Sequence, residues 1–96
     1  MVKMNSSKKR DRLEVIYDIL QIIQANQNSI KPTPLLRKSN LSSQGFKEYI
    51  NELKEKELLK EAVDKKNRKY FTLTDKGFKY LEKYKTIMGF IEEFEL

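Results

Sequence analysis

Ser42, Ser43, Gln44, Lys47 and Asn51 form a polar stripe along "NLSSQGFKEYINELKEKELL", a segment whose apolar residues Phe46, Ile50 and Leu53 recur at helical spacing. The stripe offers a defined hydrogen-bonding chemistry. Gln44 carries the donor and acceptor pair that matches an adenine edge, and Lys47 can donate to guanine or to a phosphate. Ser42 and Ser43 bring short hydroxyls to a helix N-terminus, where anions are favoured. Gly45 permits a close backbone approach. Glu48, on the same face, opposes this chemistry unless it pairs with a lysine or reads cytosine. The same residues also describe an ordinary solvated face, and the stripe alone does not separate the two readings.

Other chemistries have little material. The chain has neither cysteine nor histidine, which removes disulfides, thiolate metal sites and the commonest general base and metal ligand. Its acids are scattered, with no loop of calcium-binding type. Lys, Tyr, Asp and Glu form no recognisable catalytic constellation, so neither an enzyme nor a cofactor is expected. No stretch approaches the ~20 apolar residues of a membrane span, and the basic N-terminus lacks the apolar core of a secretion signal. The expectation is a soluble protein of the cell interior.

The net charge is +6 and the pI is about 9.5. Such an excess favours polyanions, above all nucleic acid, although a generally lysine-rich proteome would produce it too. The charge is clustered. Lys3, Lys8, Lys9, Arg10 and Arg12 crowd the start, and Lys65, Lys66, Arg68 and Lys69 share "DKKNRK". Glu92, Glu93 and Glu95 mark the end.

These clusters must be held by elements. Residues 1–9 have no apolar period and read as a flexible basic arm. Leu13, Ile16, Ile19, Leu20 and Ile23 predict an amphipathic helix ending in the polar run "NQNS". Thr33 before Pro34 predicts the start of a short second helix, and Asn40 a tight left-handed corner. Ser42 caps the third helix. The period then shifts to two in "LLKEAV" and "KYFTLT", separated by the polar turn "DKKNR", which predicts a β-hairpin. Thr74 caps a last helix running towards the C-terminus, weakened but not forbidden by Gly89. The predicted fold is mainly α with a β-hairpin (α+β): helix, helix, helix, strand, strand, helix, with an extended C-terminal helix. A hairpin directly after a helix-turn-helix is the layout of a winged helix.

From about Arg10 to Tyr84, "NLSSQGFKEYINELKEKELL" followed by "KYFTLTDKGFKYL" resembles the small archaeal winged-helix proteins, including the Sulfolobus ten-a type of basic chromatin protein. Glu57 departs from that pattern, which usually has Gly before the paired leucines. The resemblance implies double-stranded DNA as partner, a location in the cytoplasm at the nucleoid, dimers formed through the last helix, and no catalysis.

The expected division is an arm over 1–9, a DNA-binding domain over 10–80 and a dimerisation segment over 81–96. The third helix would enter the major groove through Ser42, Ser43, Gln44, Lys47 and Asn51. The wing residues Lys65, Lys66, Arg68 and Lys69, the arm residues Lys8, Lys9 and Arg10, and Arg37 and Lys38 of the second helix complete the DNA-contacting set. Leu81, Tyr84, Ile87, Met88, Ile91 and Phe94 follow the three-four spacing of a helix-pairing seam and are the expected homodimer contacts. A bend at Gly89 that folds the helix back on its own core is the alternative to that seam. The function expected is that of a dimeric transcription regulator. A weakly sequence-specific architectural chromatin protein and a protein-interaction module remain as alternatives.

Overall fold

The computed structural model describes residues 10–96. Its elements are α1 (Arg12–Ala25), α2 (Pro32–Ser39), α3 (Ser43–Glu55), β1 (Leu59–Val63), β2 (Lys69–Leu73) and α4 (Asp75–Glu93), in the order expected from the sequence. β1 and β2 pair antiparallel, with Leu59 opposite Leu73 and Val63 opposite Lys69.

Local chemistry starts and stops the helices. Asp11 accepts from the Glu14 N–H at 2.8 Å, Ser42 from the Gly45 N–H at 3.0 Å, and Thr74 from the Gly77 N–H at 3.0 Å. Each hydroxyl or carboxylate satisfies an N–H that has no partner within its helix. α2 begins earlier than expected. Lys31 is its extended N-cap and Pro32, not Pro34, is its first residue. The fixed φ of proline suits that position, and its missing N–H would have been unpaired there.

At the end of α3 the Glu57 N–H donates to the Lys54 carbonyl and the Leu58 N–H to the Leu53 carbonyl, while Glu57 takes φ 60°. This is a Schellman turn, whose left-handed position favours glycine. Glu57, where the resemblance implies glycine, thus occupies the left-handed position of this turn. Asn40 forms the left-handed corner between α2 and α3 at φ 59°.

The core joins Val15, Ile16, Ile19, Leu20 and Ile23 of α1 to Phe46, Ile50 and Leu53 of α3, closed by Leu59, Phe71 and Leu73 of the hairpin and by Leu81 of α4. Leu13 is not among them. It is 57% exposed, because it lies roughly a quarter-turn from the centre of the face that α1 buries. The hairpin has a further partner that periodicity did not reveal. Ile30 and Phe71 exchange backbone hydrogen bonds of 3.2 and 2.8 Å, and Asn28 Oδ1 accepts from the Leu73 N–H at 2.7 Å. The segment after α1 thus covers the outer edge of β2.

α4 is anchored at its first turn. Thr74 Oγ1 donates to the Glu57 carbonyl at 2.6 Å, and Lys76 Nζ donates to the Lys56 carbonyl at 3.0 Å. Gly77 lies against Leu58, and a Cβ at this position would overlap the Leu58 carbonyl oxygen. Further along, Leu81 is buried in the core of its own chain, and Tyr84 stacks on Tyr17 of α1 with ring centroids 4.4 Å apart. These two residues of the expected pairing seam therefore pack within the chain, because α1 crosses α4 here. The helix continues through Gly89 to Glu93 without folding back. Ile87, Phe90 and Phe94 stay exposed, and Met88 and Ile91 are half-buried.

Candidate nucleic-acid interface

α3 is fastened by Phe46, Ile50 and Leu53, which leaves its opposite side outward. Ser43, Gln44, Lys47, Glu48 and Asn51 are all exposed there or at its edge and line one shallow, open depression. Ser42 stands at the N-terminus with its oxygen engaged by the Gly45 N–H. Gln44 Nε2 approaches Glu48 Oε2 at 3.5 Å, the outer limit of a hydrogen bond. The expected polar stripe is thus assembled as one surface on a rigid helix. Lys47 and Glu48 offset each other, so hydrogen-bonding capacity rather than net charge distinguishes it.

The hairpin turn is organised by Asp64. Its Oδ1 accepts from the N–H groups of Lys66 at 2.8 Å and Arg68 at 2.9 Å, and its Oδ2 from Arg68 Nε at 3.0 Å. The Arg68 N–H foremost, with the Lys66 N–H and the Arg68 guanidinium, holds the carboxyl below the usual aspartate range. Asn67 takes the left-handed corner at φ 63°.

One consequence is that the four wing cations are not equivalent. Arg68 is paired with Asp64, and Lys69 lies 3.4 Å from Glu61. Lys65 and Lys66 are exposed and have no acidic partner among the described residues.

Glu61 on β1 also takes Lys54 of α3 at 3.1 Å. That hydrogen bond chiefly, with Lys69 contributing, lowers the Glu61 pKa despite some opposing burial. The carboxylate therefore ties α3 to both strands of the hairpin. Sequence reasoning missed this role. The only signal available was one acid on the strands of a largely basic hairpin.

The remaining candidates separate. Arg37 and Lys38 are exposed in the last turn of α2, where cations also complement the negative end of the helix dipole. Arg10 is not a free arm residue. Its guanidinium donates to Asp18 at 2.6 Å and to the Ser39 carbonyl at 2.8 Å, joining α1 to the end of α2. Lys8 and Lys9 lie outside the described residues. Among the described residues no group of histidine, cysteine or acidic side chains could hold a metal ion, and no helix is long and apolar enough to cross a membrane.

A family model described as winged helix-turn-helix matches residues 9–92. The chain belongs to the winged helix-turn-helix family. Solved winged-helix structures agree with the architecture. Sso10a-2, a DNA-binding protein from Sulfolobus solfataricus, superposes with a TM-score of 0.71 at 17% identity, over 90% of this chain and 86% of that one. F93 from STIV, a winged-helix DNA-binding protein, gives 0.70 at 22% identity, over 83% and 91%. MepR is a transcription regulator of a Staphylococcus aureus multidrug efflux pump. In its complex with DNA it gives 0.67 at 21% identity, over 81% of this chain and 58% of its own. The chain therefore spans little more than half of MepR. At these identities the likeness establishes the winged-helix fold. No curated protein sequence matches the chain.

Proposed function

We propose that this winged-helix protein binds duplex DNA as a homodimeric transcription regulator of the nucleoid, with α3 in the major groove. The observation that carries the reading is the outer side of α3. Ser43, Gln44, Lys47 and Asn51 are presented together on a helix whose other side is locked into the core. A rigid helix bearing amide, hydroxyl and ammonium groups suits base edges and the phosphates beside them. Lys65 and Lys66 at the wing, Arg37 and Lys38 on α2, and the basic arm with Lys8 and Lys9 supply phosphate contacts. Arg68 and Lys69 contribute less than their sequence positions suggest, because each has an acid beside it. MepR, whose fold is similar, has been solved in complex with DNA, which supports the DNA-binding reading.

The second chain is argued from α4. Ile87, Phe90, Phe94 and Leu96 are all more than half exposed near its end. Burying such side chains is worth roughly 1.5–3 kcal/mol each, enough for four from each chain to offset the cost of association. A two-fold pair would present two copies of α3 to a palindromic site.

Salt titration of duplex binding tests the proposal. Neutralising about four to six phosphates gives a slope of log K against log salt of about −4 to −5. A slope near zero would sink the DNA-binding reading.

A further inference from the structure

Glu48 sits in the middle of the exposed side of α3, one turn after Gln44 and next to Lys47. If this side met only phosphates, a carboxylate here would weaken every contact. A lysine partner would remove the objection, but none of the described cations makes an ion pair with it. Lys54 and Lys56, further along the chain, are engaged by Glu61 and Glu52. Lys47 is its chain neighbour, and adjacent residues on a helix do not face each other. The polar group nearest Glu48 is the Gln44 amide, 3.5 Å away in the same depression.

We propose that Glu48 is a specificity-determining residue that accepts a hydrogen bond from the N4 amino group of a cytosine in the major groove. The inference rests on the DNA-binding reading above. A carboxylate offers only acceptors. In the major groove cytosine offers a donor alone, adenine offers a donor beside the N7 acceptor that repels a carboxylate, guanine offers two acceptors, and thymine offers an acceptor and a methyl group. Glu48 is therefore matched to cytosine and repelled by guanine and thymine.

Its position also acts on Gln44. The Gln44 amide nitrogen lies 3.5 Å from Glu48; one of its N–H groups can face the carboxylate, which leaves the second N–H and the carbonyl oxygen, the pair that an adenine edge requires. The two side chains form one reading unit on adjacent turns. Because the carboxylate lowers affinity for mismatched duplexes, it widens the gap between a matched site and the rest.

The test uses the full chain and duplexes selected from a random pool. The parent should select a C·G pair at one position. Changing that cytosine to thymine should weaken binding about tenfold or more. Glu48→Gln should erase the cytosine preference there, shift it towards adenine, and tighten binding to unrelated duplexes. Glutamine and glutamate have similar helix propensities, so helical content by circular dichroism should not change. If Glu48→Gln tightens all duplexes by one factor and leaves the base preference intact, Glu48 only repels; the proposal fails and DNA binding survives. Equal affinity of the parent for every sequence would likewise overturn the proposal while leaving DNA binding in place. A parent that binds no duplex removes both the proposal and the reading beneath it.

Discussion

The two halves of α4 carry the same kind of residues and meet different surroundings. Leu81 is 2% exposed and Tyr84 stacks on Tyr17, whereas Ile87, Phe90 and Phe94 are 57%, 54% and 56% exposed. All five follow helical spacing, and nothing in their side-chain chemistry separates them. What differs is the neighbour. α1 lies against the first half, and Thr74, Lys76 and Gly77 fasten its first turn to the end of α3 and the start of β1. Beyond Tyr84 the helix leaves its own core and retains an apolar edge. An apolar helix segment is thus buried core or exposed edge according to what the fold brings beside it.

The largest effect expected from this contrast is in the first half. Leu81→Ala should destabilise the chain by about 2–5 kcal/mol, through lost burial and the cavity left behind. Chemical denaturation measures it. A change under ~1 kcal/mol would mean that α4 contributes little to the core.

A middle effect concerns Tyr80, whose hydroxyl donates to the Leu13 carbonyl at 2.8 Å. Burial chiefly, with the charge of Tyr84 and Asp11 adding, pushes its pKa up to about 12. The folded state therefore favours the neutral phenol. The stability this provides is complete below the unfolded tyrosine pKa of ~10 and declines as pH rises towards the folded value. Tyr80→Phe should cost about 0.5–1.5 kcal/mol at neutral pH and flatten that alkaline decline. Denaturation midpoints between neutral and strongly alkaline pH report both, and an unchanged alkaline slope in the variant would assign the decline to other groups.

The smallest effect on the stability of the chain itself is expected at the far end. Ile87→Glu with Phe90→Glu should alter it by only about 0.5 kcal/mol, because both side chains are largely in water. The same pair should abolish self-association by sedimentation and weaken binding to a two-fold DNA site. A parent that sediments as a monomer at micromolar concentration would remove the proposed dimer.

Much of the fold was legible because it is written locally. Ser42 and Thr74 act within three residues of themselves, and apolar residues at three and four or at two declare helix or strand over a few positions. The polar stripe of α3 was readable for the same reason, since Phe46, Ile50 and Leu53 define its opposite side. The start of α2 was misplaced because "KPTP" holds two prolines that each suit a helix start, and only the observed φ and ψ of Lys31 select Pro32. Ile30 escaped because a single bridging residue has no period.

Sequence alone fixes the order of elements, the caps at Ser42 and Thr74, the left-handed corner at Asn40, the excess of positive charge and the polar side of the third helix. These depend on interactions that span a turn or two, or on composition. Packing in three dimensions selects which charges remain available and which apolar residues become core. Arg10 meets the Ser39 carbonyl, Glu61 meets Lys54 from another element, Gly77 meets Leu58 and Tyr84 meets Tyr17. Each pair joins residues distant in the chain or on different elements. Ion pairing and burial depend on distance in space, so they are set only when the helices and the hairpin have packed.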